Sequence, residues 1–231
     1  MHIPSVMVGR VEPLTFKRAR TAETKRARAA ALMEAARSLA LESGVAAVTL
    51  TAVADRAGVH HSAVRRYFDS HKDILLHLAA EGWGRWSAAV CASLAGPGPM
   101  SPRRVAEALV AGLADDPLFC DLLAYLPLHL EHEVQPEQVI KVKRQSYPAV
   151  ISLAEAIERA LPALGRQGAA DVLSSATALA GTLWQVVHPP ADLVDAYATE
   201  PAVPPEFDFE FVPTLTRLLT AMCVGLVESA S

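Results

Sequence analysis

The stretch from Thr49 to Phe68 constrains this chain more than any other part of it. Thr49 has the chemistry of a helix N-cap, with a hydroxyl that can accept a backbone N–H of the first turn. Behind it, Val53, Ala54 and Ala57 fall on one face at helical spacing and are small enough to let helices approach closely. Gly58 follows at the helix end, where a positive φ costs little only for glycine. Val59 is placed to plug the turn into the core. A second helix starts near His61 or Ser62, burying Val64 and Phe68 and leaving its other face free. Helix, tight turn and helix in this order form a helix-turn-helix, whose second helix has the shape to enter a DNA groove.

The charge pattern points the same way. Residues 1–75 hold twelve cations against seven anions, a head of +5, whereas the remainder holds 9 cations and 18 anions and carries −9. A basic head on an acidic body suits a polyanion-binding module joined to a second domain. The 231 residues are enough for both. Residues 1–20, with Pro4, Gly9 and Pro13, show no clear period and read as a flexible basic arm; 21–76 are the helix-turn-helix domain and 77–231 a helical body.

Helical periodicity dominates the whole length, and no alternating strand pattern appears, so the expected fold class is all-α. Leu32, Ala35, Ala36 and Leu39 make the apolar stripe of a helix from about Thr24 to Ser43, which Gly44 stops. Asp69 or Ser70 caps a longer helix over about 72–94, ended by Pro97, Gly98 and Pro99. Further helices are expected near 101–115, 117–131, 136–160, 168–188 and 211–228, with Pro117, Pro136 and Pro162 at helix edges. Five prolines in 189–210 predict a long loop there.

Several functions lose support. Cys91, Cys120 and Cys223 are odd in number and far apart, so neither a disulfide framework nor a zinc ribbon is indicated; they read as small thiols in a reducing compartment. No secretory signal is expected at the N-terminus, and no window reads as long and apolar enough to span a bilayer, which predicts a cytoplasmic protein without membrane partners. No HExxH, GxSxG, P-loop or dinucleotide fingerprint is present, so neither an enzyme nor a cofactor is expected. His129, Glu131, His132 and Glu133 have one pair at metal-ligand spacing but read better as a solvated helix end, and no metal is expected.

From about Thr24 to Leu76 the sequence resembles the DNA-binding head of the TetR family of bacterial regulators. The resemblance rests on the Thr49 cap, the Val53-Ala54 pair, the Ala57-Gly58-Val59 turn, the aromatic Tyr67-Phe68 exit, and the short polar link into a long helix bearing Asp73 and Leu75. It implies that Thr49 and Tyr67 touch DNA phosphates. It also implies that Thr51, His61, Ser62 and Arg65 lie on or near the groove-facing surface, with His60 and Arg66 beside them. Where the family usually places a phosphate-gripping lysine, this chain has His71, followed by Lys72. Where the family usually has tyrosine, it has Arg65, a side chain that can pair with guanine O6 and N7 in a bidentate manner.

The resemblance further implies a homodimer on a palindromic operator, with heads about 34–36 Å apart, acting as a repressor released by a small-molecule effector. Tyr125, Tyr147, Trp184, Gln185 and His188 are candidate effector contacts. The 168–188 and 211–228 helices offer Leu173, Leu179, Leu183, Val187, Leu215, Leu218, Leu219, Met222 and Leu226 to a dimer interface. The competing reading is a helical protein that binds DNA without sequence preference and has no ligand switch.

Overall fold

A computed structural model describes residues 14–126, 130, 134–200 and 210–229. Among these the regular structure is helical throughout, as the periodicity predicts. Helix α1 (Leu14–Ser43) leads through Gly44 and a 3-10 turn at Val45–Ala47 into α2 (Leu50–Arg56) and α3 (His61–Val64). Then follow α4 (His71–Ser93), α5 (Pro102–Ala114), α6 (Pro117–Tyr125), α7 (Pro136–Ala160), α8 (Gly165–Val187), α9 (Ala191–Thr199) and α10 (Phe211–Ser229).

Three features differ from expectation. α1 begins at Leu14, ten residues before the expected Thr24 and inside the segment read as an arm. Alanine, lysine and arginine there are strong helix formers, yet they show no apolar stripe, so a reading based on periodicity passes over them. The second difference is α9, in a segment read as loop. Pro189 and Pro190 end α8, and Pro190 with ψ 149° precedes a helix that has Asp192 in its first turn. Third, α10 is long and apolar enough to cross a bilayer by length and composition, contrary to the sequence reading. It packs on α5 and α8, with Leu215, Leu219 and Cys223 buried. The cluster His129, Glu131, His132 and Glu133 lies outside the described residues.

The buried side chains form two cores. One holds Leu32, Val53, Val64, Phe68, Ile74 and Leu78, together with Leu118 and Leu122 of α6 and Val139 and Val142 of α7. The other lies between α4, α5, α6, α7, α8 and α10, around Trp86, Leu109, Phe119, Ile157 and Leu215. Burial of this order, at about 25 cal/mol per Å² of apolar surface, is the main stabilising term. The Trp86 indole N–H donates to the Leu109 carbonyl at 3.0 Å, so its one polar atom is satisfied in the second core. Three glycines permit close packing, and at Gly82 a Cβ would run into the Phe119 ring. A Cβ on Gly112 would come within 2.8 Å of the Trp86 ring, and one on Gly181 within 2.7 Å of the Ala124 backbone nitrogen.

Of the leucines offered to a dimer interface, Leu173, Leu183, Leu215 and Leu219 are buried within the subunit. Leu179, Val187, Leu218, Met222 and Leu226 pack partly against the same core. On these two helices it is instead Val186, Val212 and Val224 that stand exposed.

Candidate nucleic-acid interface

Thr49 caps α2 as its sequence position predicts: Oγ1 accepts the Ala52 N–H at 3.1 Å. That bond uses a lone pair and leaves the hydroxyl proton available to an outside acceptor. Gly58 has φ +66° and ends the helix. The Val59 N–H donates to the Ala54 carbonyl at 2.9 Å and the Gly58 N–H to the Asp55 carbonyl at 3.1 Å, the paired bonds of a Schellman ending. Val59 departs from its expected place. It is 40 % exposed, because the reversal at Gly58 carries it outward and Val53, Ala54, Val64 and Phe68 fill the interior between the helices.

His60 caps α3. Its Nδ1 accepts the Ser62 N–H at 3.3 Å and lies 2.9 Å from Ser62 Oγ. A backbone N–H can only donate, so Nδ1 is the acceptor and the proton of the neutral ring sits on Nε2. The His61 ring lies 5.0 Å from it. One helical turn, His61–Val64, runs into successive turns that end at Phe68, whose N–H reaches the Val64 carbonyl at 3.1 Å. Val64 and Phe68 are buried, whereas His61, Ser62, Arg65 and Arg66 are exposed.

Of the remaining expected contacts, Thr51 is exposed on α2, and Tyr67, His71 and Lys72 are half-buried. Ser70 Oγ accepts the Asp73 N–H at 3.1 Å, and Asp73 in turn accepts the Asp69 N–H at 3.2 Å, which fixes the start of α4 beside His71 and Lys72.

Charge partners separate the arginines of the head. Arg37 pairs with Glu34 and Glu81, tying α1 to α4. Arg56 makes two bonds to Glu42, at 2.7 and 2.6 Å, which hold α2 to the end of α1. This bond to the guanidinium keeps the Glu42 carboxyl below its ordinary range. Among the described residues neither Arg65 nor Arg66 has a carboxylate partner. Two such arginines on the exposed side of a helix-turn-helix, beside a helix start that bears a lysine, are suited to phosphates and guanine edges.

The five candidate effector contacts do not gather in one place. A cavity of about 390 Å³ lies between α4, α6, α7 and α8, walled by Leu76, Ala79, Trp83, Leu123, Leu126 and Val142. Of the five, only Tyr147 lines it. Tyr125 packs against the core of the head. Trp184 stacks on His188, with ring centroids 3.8 Å apart, and meets Phe211 edge-on at 5.2 Å. Gln185 Nε2 donates to Asp121 Oδ1 at 2.8 Å. The small side chains that open the cavity, Ala79, Ala80, Ser146, Thr177 and Ala178, carry no signal in sequence that separates them from ordinary helix surface.

Comparison with known proteins bears on the family and the fold. The family model described as bacterial regulatory proteins, tetR family, matches residues 32–78, and that described as tetracyclin repressor-like, C-terminal domain, matches 80–230. A transcriptional regulator from Rhodococcus sp. Rha1 superposes with a TM-score of 0.53 at 17 % identity, covering 87 % of this chain and 96 % of its own. The TetR family regulator PfmR from Thermus thermophilus gives 0.51 at 13 %, covering 84 % and 97 %. A TetR/AcrR family regulator from Thermobifida fusca gives 0.50 at 20 %, covering 84 % and 96 %. At these identities the likeness is one of fold. No curated protein sequence matches the chain. The two family models together span the head and nearly all of the body: the chain belongs to the TetR family of DNA-binding transcriptional regulators.

Proposed function

We propose that this regulator is a homodimeric repressor that holds a palindromic operator and is released from it by a small molecule. The observation that carries the reading is the continuity of α4. The helix starts at the exit of the helix-turn-helix, where Ser70 and Asp73 cap it, and within its next turns supplies Leu76, Ala79 and Trp83 to the cavity wall. A ligand that seats against these side chains in one subunit arrangement and not in the other shifts the spacing of the heads. Coupling of this kind is typically about 1–3 kcal/mol.

Thr49 and Tyr67 take phosphates in this reading, and His71 and Lys72 flank them at the start of α4. Thr51, His60, His61, Ser62, Arg65 and Arg66 face the groove, with Arg65 reading a guanine in each half-site. The dimer forms through the outer sides of α8 and α10, where Val186, Val212 and Val224 are exposed. The cavity suits a compact, mostly apolar effector. Two hydroxyls on its wall donate into their own helices, Ser146 to the Lys143 carbonyl at 3.3 Å and Thr177 to the Ser174 carbonyl at 2.9 Å. Each oxygen therefore meets a ligand as an acceptor, and an effector with one or two hydrogen-bond donors fits. The protein acts where the chromosome is, in the cytoplasm.

Selection of bound duplexes from a random pool at near-physiological salt tests the reading. The expected outcome is an enriched palindrome, which then serves as the probe for effectors that release it. Binding without enrichment that vanishes as salt rises would replace it with the sequence-independent alternative.

A further inference from the structure

The helix that opens the head is longer than the head requires. Among the described side chains of α1, which start at residue 23, burial begins at Leu32, and the family match begins at the same residue. The helix nevertheless starts at Leu14. The intervening residues 14–31 amount to about 27 Å of helix at 1.5 Å per residue. They contain six cations, Lys17, Arg18, Arg20, Lys25, Arg26 and Arg28, and one anion, Glu23. From residue 23 to residue 31 no side chain is buried. A helix with no apolar stripe and this charge gains nothing by packing on a core.

The cations nearest the head lack the neutralisation seen deeper in it. Arg37 and Arg56 are paired with carboxylates, whereas among the described residues Lys25, Arg26 and Arg28 have no carboxylate partner. The extension also joins the groove-facing surface directly. Arg28 lines one cleft, of about 360 Å³, together with His60, Arg66 and Tyr67 of the helix-turn-helix. The basic surface of the recognition turn therefore continues onto α1.

We propose that the N-terminal extension of α1 is a second DNA-binding element, which follows the phosphate backbone beside each half-site and adds affinity without adding sequence preference. Charge without base-edge geometry supplies salt-dependent binding of this kind. The proposal rests on the DNA-binding reading of the head and is separable from it.

The test compares full-length wild-type protein with K25A/R26A/R28A on two duplexes that carry the selected palindrome, one trimmed to the palindrome and one with flanking sequence on both sides. Alanine keeps helix propensity at these exposed positions, and K25Q/R26Q/R28Q serves as a second variant. The expected result is that wild type binds the flanked duplex at least about tenfold more tightly at physiological salt and that the variants lose this advantage. The slope of log affinity against log salt should fall by about 0.9 for each phosphate contact removed, with base preference unchanged. K141A/R159A/R166A, which removes the same charge from the exposed body, should leave the slope as in wild type. The proposal is overturned if the α1 variants keep the wild-type slope and flank dependence, or if the body variant loses as much. A wild-type protein that binds neither duplex overturns the reading of the head itself.

Discussion

The Asp121 carboxylate on α6 accepts the backbone N–H of Val45, in the turn that joins α1 to α2, at 3.0 Å. Its other oxygen accepts Gln185 Nε2 of α8 at 2.8 Å. One side chain thus ties the head to the body, and a second, one helix further away, orients it. Both α6 and α8 also wall the cavity, through Leu123 and Thr177 among others. Any displacement of either helix would act on the bond to Val45.

Asp121→Ala is therefore expected to lower unfolding stability by about 1–3 kcal/mol, because the N–H of the buried Val45 loses its partner. Gln185→Ala should cost less, about 1 kcal/mol, since the carboxylate remains. Urea titration of both single variants and the double variant checks the link. A coupling of at least about 0.5 kcal/mol is expected, and simple additivity would count against it.

Two glycines should respond with opposite signs. A Cβ on Gly181 meets the Ala124 backbone nitrogen at 2.7 Å, and backbone cannot rotate away. Gly181→Ala should destabilise by about 1–3 kcal/mol through the α6–α8 crossing. Gly84 is an exposed helical position with nothing within 4 Å of the added atom. Gly84→Ala should stabilise by roughly 0.5–1 kcal/mol. Calorimetric melting of the two proteins side by side decides the matter.

Arg65→Ala should cost about 1–3 kcal/mol on the selected operator and relax preference at a single base pair. Lys72→Ala should weaken every sequence alike and reduce the salt slope by about 1. Uniform loss with Arg65→Ala, measured on a panel of single-base operator variants, would move Arg65 to the backbone.

Burial raises the Cys120 thiol from 9.0 to about 12, with the charges of Asp116 and Asp121 adding to the effect. Burial likewise raises the Cys223 thiol from 9.0 to about 11. Well below pH 9 both thiols are protonated in folded and unfolded chains alike. Above it the unfolded chain loses protons that the folded chain keeps, so stability falls as pH rises, by up to about 1.4 kcal/mol per pH unit and thiol. A thiol reagent at about pH 8 should label at most Cys91, which is half-buried, because Cys120 and Cys223 are buried. All three cysteines should label in denaturant, and C120A/C223A should show a shallower alkaline loss.

The head is legible in the sequence because its signals are local. The Thr49 cap, the positive φ of Gly58 and the burial of Val64 and Phe68 each depend on neighbours a few residues away. Several helix ends in the body are legible for the same reason, such as Pro136 at the start of α7, a helix that continues through Pro148, whereas α6 ends at Tyr125, short of the expected 131. Val59 escapes such reading because its fate depends on which side chains fill the interior first. Gln185 suggests a ligand contact, but its partner Asp121 is 64 positions away. The cavity is made by what is missing, at alanines such as Ala79 and Ala178, and no residue type announces an absence. The extension of α1 lacks the apolar stripe on which helix recognition depends.

The core of the head includes Leu118 and Leu122 of α6 and Val139 and Val142 of α7. These four side chains come from far beyond the last residue of the helix-turn-helix. Recombination between relatives at the end of the head would separate Ile74 and Leu78 from the surfaces that cover them. A chimera that transplants this reading head onto a foreign sensor must carry those four positions with it, or rebuild their shape in the recipient. The unit of inheritance for DNA specificity in this protein is therefore discontinuous along the gene.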